Sequence, residues 1–210
     1  FTAERDGKTV GRVAAIINRR ANETWNTRNV RFGWIDFIDD YSVSAMLLDT
    51  VAQWGKEQGM NAMQGPMGFI DFDREGMLIE GFDRIGTMST HYNYPYYPEH
   101  MKRYGLEKEI DWMERKVMAP EEVPEKFARI AQIAAKRSNL HIKKLKSMKE
   151  VHEKGYGKKI FDLINESYAP LFGYSRLSDK KIQQLIDTYL PLIDLRMQTL
   201  IMNEKEELVC

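Results

Sequence analysis

The 210-residue chain carries 31 Lys plus Arg against 31 Asp plus Glu, with 43% hydrophobic and 30% charged residues. That is the profile of a folded globular chain rather than a disordered one. Zero net charge gives no global case for nucleic acid or an anionic membrane as partner, and no apolar run approaches the roughly 20 residues needed to span a bilayer.

In chain order, Phe1–Arg5 and Thr9–Ile17 read as strands joined by a hairpin turn at Asp6-Gly7. Val13 to Ile17 is apolar throughout, which places that strand centrally in a sheet. Residues 18–29 are polar and read as a surface excursion, pinned by Trp25. Phe32 to Ile38 is the next strand. The loop Asp39-Asp40-Tyr41-Ser42 follows, with Ser42 as the expected N-cap. In the ensuing helix Val43, Met46, Leu47, Val51 and Trp54 recur at helical spacing, and Gly59 suits the position past its end. Asn61 to Gln64 is a short strand. Strand, helix and strand in succession predict a parallel crossover.

Gly65 to Pro98 is rich in Gly, Pro, Tyr and Met; it reads as irregular, with a short hairpin around Met77–Glu80. A short helix is expected over 98–103, then Gly105 and a strand from Glu107 to Val117. Pro124 opens a helix in which Phe127, Ile130, Ala131 and Ala134 share a face, with Lys136 and Arg137 suiting its C-terminal dipole. A strand at Leu140–Leu145, a helix near Gly157–Leu171 and a helix capped by Ser178 follow. Pro191 ends or kinks that last helix. Met197–Met202, a turn at Asn203–Glu206 and Leu208–Cys210 form a second hairpin.

Cys210 is the single cysteine, which excludes an internal disulfide framework or a cysteine-based zinc site. It fits a reducing, cytoplasmic setting. Phe1–Arg5 reads as a strand already under way, and Leu208-Val209-Cys210 as one that stops, so the ends read as those of a piece of a longer chain. His91, His100, His141 and His152 show no metal-ligand spacing.

Several stretches carry a resemblance: Gly11-Arg12-Val13-Ala14-Ala15-Ile16-Ile17-Asn18, Gly65-Pro66-Met67, Glu80-Gly81-Phe82-Asp83, and Tyr92-Asn93-Tyr94-Pro95-Tyr96-Tyr97. Phe161 to Tyr168 and Phe172-Gly173-Tyr174 add to it. Through them the chain resembles the GNAT superfamily of N-acyltransferases, and more closely uncharacterised bacterial proteins built from two tandem GNAT-like units. The resemblance implies an α/β (α+β) fold with a mixed, mostly antiparallel sheet flanked by helices. It also implies a division into a GNAT-like unit at 1–118, a linker helix at 119–137, and the opening of a second unit at 138–210. The implied cofactor is acetyl-CoA or another acyl-CoA, and the implied acceptor a small-molecule or peptide amine.

GNAT enzymes hold the cofactor pyrophosphate with backbone N–H groups of a Gly-rich loop that opens a helix. The matching loop here runs through Asp40, Tyr41, Ser42 and Ser44; it has no glycine, and Asp39 and Asp40 repel phosphate. A second candidate is His152 to Lys159, where Gly155, Gly157 and Lys158 have the loop's spacing. Each also reads as an ordinary helix start. The tyrosine that many GNAT enzymes use to protonate the leaving thiolate falls on Met101, which has no proton to give. Asn93, Tyr94, Tyr97 and Tyr168 are acceptor-pocket candidates, or loop-packing residues. Asp36, Asp71, Asp73, Glu80 and Asp83 are candidate general bases that no spacing separates. The alternative to an acyltransferase is a non-catalytic structural or small-ligand-binding module.

Overall fold

A computed structural model describes residues 1–87 and 90–210. The chain forms two compact units, residues 1–110 with 171–175 and residues 111–170 with 176–210. The fold is mixed α/β, with a mostly antiparallel sheet and flanking helices.

In the first unit, β1 (Thr2–Arg5) and β2 (Lys8–Ile16) form an antiparallel hairpin. Asp6 and Gly7 both take positive φ, 51° and 71°, the geometry of a two-residue turn that matches strand twist. A short helix α1 (Arg19–Thr24), absent from the sequence expectation, follows. Asn18 caps it by accepting from Ala21 N–H. β3 (Asn29–Phe37) pairs antiparallel with β2, and β4 (Ala62–Gln64) pairs parallel with β3 from Asn29↔Ala62 to Arg31↔Gln64. The strand order β1-β2-β3-β4 contains the expected crossover.

α2 (Tyr41–Glu57) makes that crossover. It buries Val43, Ser44, Leu47, Leu48, Val51 and Gly55, against a β3 face of Val30, Phe32, Ile35 and Phe37. The stripe is rotated from the expected one, so Met46 stands 51% exposed. Gly55 is set by contact: a Cβ there meets Val30 Cγ1 at 2.5 Å. A bulge places Trp34 and Ile35 opposite Val13, and Trp34 takes φ +45°.

Past β4 the chain runs irregularly to α3 (Tyr96–Tyr104). The expected hairpin at Met77–Glu80 is not a strand pair; the backbone of Leu78 is bonded instead by a side chain, that of Asn93. The expected strand at Glu107–Val117 is also absent from these described residues. That segment meets β4 through a Gln64–Glu109 side-chain bond of 2.8 Å rather than a ladder, and Met113 and Val117 are exposed.

The second unit holds α4 (Glu125–Arg137), β5 (His141–Lys143), α5 (Met148–Glu153), α6 (Tyr156–Ser167), α7 (Asp179–Tyr189) and β6 (Leu200–Met202). Ser178 caps α7 as expected, accepting from Lys181 N–H. β6 pairs with β5, and past the turn the chain returns along β6: Met202 bridges Leu208, Ile201 N–H donates to Cys210 O at 2.7 Å and Val209 N–H to Ile201 O at 2.9 Å, so the expected second hairpin is present with a shorter first arm. Met197 lies in a 3-10 turn rather than a strand. No helix among the described residues is long and apolar enough to cross a membrane.

Candidate functional site

Arg31 sits in β3 between Val30 and Phe32, and is 4% exposed. A buried guanidinium needs partners, and this one donates to three carbonyls. Nη1 reaches the Gly68 and Phe69 oxygens at 3.2 and 3.3 Å, and Nη2 the Gly173 oxygen at 3.3 Å. It thereby ties the loop after β4 to the segment 171–175. Neighbouring bonds reinforce the tie: Asn18 Nδ2 donates to Phe69 O at 2.6 Å and Ser175 Oγ at 3.3 Å, and Trp25 Nε1 donates to Tyr174 O at 2.8 Å.

The loop also brings two carboxyls, Asp71 and Glu75, into the field of Arg31. Burial pushes Asp71 up against the pull of Arg31. Burial, then the charge of Asp71, pushes Glu75 up to about 7. Burial likewise lowers Arg31. Glu75 is held by backbone pairing, since it bridges to Met67 and the next residue's N–H donates to Pro66 O at 2.7 Å. A carboxyl that gains and loses its proton near neutrality suits acid–base chemistry. A cavity of about 110 Å³, lined by Arg31, Trp25, Asn29, Gln64, Glu109 and Phe172 among others, lies in the same unit.

The N-terminus of α2 has its donors engaged. Asp40, not Ser42, is the N-cap. Its Oδ1 accepts from Ser42 N at 2.8 Å and Ser42 Oγ at 2.6 Å, and its Oδ2 pairs with Arg5 at 2.9 Å. The Ser42 hydroxyl, then Arg5, hold Asp40 down to about 2. Val43 and Ser44 N–H groups donate to Asp40 O. A pyrophosphate brought here meets a permanent carboxylate and engaged N–H groups, so these residues do not fit that group. Asp40 is the cap because it is the last residue in extended conformation before the helix, where its carboxylate reaches Ser42 N–H, whereas Ser42 already lies inside the first turn. Tyr41 is capped by the Arg103 guanidinium, 3.8 Å from its ring centre.

Ser44 Oγ lies 2.9 Å from His100 Nδ1, and His100 Nε2 lies 3.1 Å from Asp39 Oδ1. The carboxylate can only accept, so Nε2 carries a hydrogen. The serine hydroxyl then either donates to Nδ1 or, with a doubly protonated ring, donates to Tyr41 O at 3.1 Å. The types are those of a nucleophilic triad, but Ser44 is 0% exposed and closed to substrate. The arrangement joins α2 to α3. Met101 is buried in the core.

Asn93 clamps the Leu78 backbone, accepting from its N–H at 2.6 Å and donating to its carbonyl at 3.1 Å. Tyr94 is exposed and stacks on Tyr96 at 5.6 Å. Tyr97 is buried, and its hydroxyl accepts from Phe37 N at 3.2 Å while Tyr96 donates to Phe37 O at 2.7 Å. These hydroxyls close the outer edge of β3 at Phe37. Tyr168 ends α6 in the second unit. There too Gly155 takes φ +63°, and a Cβ on Gly157 meets Ile186 at 3.0 Å, so both glycines have local reasons. Lys158 bonds both oxygens of Asp162 at 2.8 Å. Of the other acids, Asp36 pairs with Arg12 and Asp73 accepts from Phe69 and Ile70 N–H. Glu80 and Asp83 are exposed.

Arg31 and Glu75 escaped the sequence reading. The available signal was a charge inside an otherwise apolar strand, Val30-Arg31-Phe32, which needs a partner. The acid-rich run Asp71-Phe72-Asp73-Arg74-Glu75, of which Asp71 and Asp73 are candidate general bases, is a source of one.

No family profile and no solved structure matches the chain. Two curated proteins are similar to it. Protein YghO of Escherichia coli (strain K12) is 34% identical over 119 residues, covering 55% of this chain and 30% of that protein. Bacterial ceramide synthase of Caulobacter vibrioides (strain NA1000 / CB15N) is 24% identical over 201 residues, covering 94% of this chain and 50% of that protein. The chain thus spans at most half the length of these relatives.

Proposed function

We propose that this chain is part of an N-acyltransferase-like protein that forms an amide on a small-molecule amine, with an acyl-CoA as donor. The similarity to bacterial ceramide synthase over 94% of the chain supports the reaction class, since a ceramide is an N-acylated amino alcohol. The observation that carries the assignment to residues is Glu75, a half-buried carboxyl raised to about 7. In this reading the Glu75 carboxylate takes a proton from the arriving ammonium. The freed lone pair attacks the acyl carbonyl, the C–N bond forms, the C–S bond breaks with its electron pair going to sulfur, and the second proton shed by nitrogen ends on the leaving thiolate. Arg31 positions the loop that carries Glu75. The donor's phosphates bind elsewhere than the terminus of α2.

The test is amide formation from an acyl-CoA and a long-chain amino alcohol, on the 210-residue chain and on any longer natural chain that carries it. Glu75→Gln is expected to lower kcat/KM by about 10²–10⁴-fold with the fold intact. Amide formation by neither protein overturns the reaction class; full activity of Glu75→Gln overturns the residue assignment. The second reading, a non-catalytic small-ligand module, is favoured by the filled terminus of α2 and buried Met101. Calorimetric binding of the amine without turnover by either protein selects it.

A further inference from the structure

The chain's charge balances overall but not locally. Residues 126–149 contain eight Lys and Arg and no Asp or Glu, with Glu125 and Glu150 standing just outside. Lys143 is neutralised by Glu150 at 2.6 Å, and Lys144 bonds Gln198 and Thr199. Among the described residues Lys126, Arg129, Lys136 and Arg137 have no carboxylate partner. All four lie on α4.

The same helix carries an apolar stripe that nothing among the described residues covers. Phe127 is 63% exposed, Ile130 52% and Ile133 47%, and α4 has no buried residue. At about 100° per residue Phe127, Ile130 and Ala134 share one side, the four cations fall along its flank, and Ile133 lies among the cations. A helix with aromatic and branched apolar residues on one side and unpaired cations beside them matches a surface that is apolar below and anionic above. A lipid bilayer with anionic headgroups has that order. Nucleic acid would engage the cations and leave the stripe in water. At 13 residues α4 lies on such a surface and does not cross it.

We infer that α4, with Phe127 and Ile130 inserted and Lys126, Arg129, Lys136 and Arg137 at the headgroups, docks the protein on anionic membrane. This surface is independent of the acyl-transfer reading. Its experiment is sedimentation of the 210-residue chain with phosphatidylcholine vesicles, with and without phosphatidylglycerol. The chain is expected to sediment with the anionic vesicles and not the zwitterionic ones, and raised salt is expected to weaken the binding. Joint Lys126→Glu and Arg129→Glu, and separately joint Phe127→Ser and Ile130→Ser, should each weaken it by about tenfold or more. Because α4 buries nothing, circular dichroism should be unchanged in both. A polarity-sensitive dye on Ala134→Cys, in a Cys210→Ser background, should shift to the blue on anionic vesicles and reads insertion in an otherwise intact helix. No sedimentation with anionic vesicles, or sedimentation that both double variants leave unchanged, overturns the inference. So does tight RNA binding that survives the Phe127 and Ile130 substitutions, or self-association through the stripe without lipid binding.

Discussion

α2 and α4 both carry an apolar stripe at helical spacing, and their fates differ. α2 lays its stripe on β3, so that Leu48 and Val51 are 0% exposed. α4 has the larger separation of apolar and polar sides, yet Phe127 and Ile130 stand in the open. Periodicity reports that a helix has a side to bury; it does not report what buries it. The partner of α2 is adjacent in sequence, supplied by the strands it connects. The strand that follows α4, β5, is three residues long and α4 buries no residue, and its stripe is bordered by cations that a protein core would exclude.

That contrast predicts unequal responses to the same kind of substitution. The largest effect is expected for Phe32→Ala, which removes a 1% exposed ring from the core under α2 and should cost about 3–5 kcal/mol in denaturant unfolding. Gly55→Ala forces a methyl against Val30 and should cost about 1–3 kcal/mol by overpacking. Ser178→Ala removes the hydroxyl that accepts from Lys181 N–H at 3.3 Å and should cost about 1 kcal/mol. Phe127→Ala on α4 should leave unfolding within about 0.5 kcal/mol of the parent, since the ring buries little. A loss for Phe127→Ala as large as that for Phe32→Ala would show that α4 is covered in solution.

Glu75 gives a pH test in the first unit. Its carboxyl is raised to about 7 from an ordinary 4.5 by burial and by Asp71. Between those values the folded state holds a proton that the unfolded chain has released, so stability falls as pH rises through that window. Below it both states are protonated and the group contributes no slope. Glu75→Gln should flatten the decline and raise the melting temperature at pH 8 relative to the parent. A parent whose melting temperature rises from pH 5 to pH 8 through this group would remove the basis for Glu75 as a proton acceptor.

Local patterns in the sequence carried much of the first unit. The Asp6-Gly7 turn, the apolar strands, the capped crossover helix and Gly105 each depend on a few neighbouring residues, and each stands where its chemistry places it. The strand expected at Glu107–Val117 failed because alternation is satisfied only when another edge is in reach, and β4 is three residues long. The cap of α2 shifted from Ser42 to Asp40 because the helix begins at Tyr41, so that both the N–H and the hydroxyl of Ser42 donate to Asp40.

The sequence by itself determined the mixed α/β class and the parallel crossover. Those follow from spacing and backbone preference, which act over a few residues. Only the tertiary structure decided that Arg31, Asp71 and Glu75 share one field, that Gly173 completes the partners of Arg31 from 142 residues away, and that α4 is uncovered. Proton affinity and burial depend on which segments meet, and segments far apart in sequence meet for reasons that no local window contains.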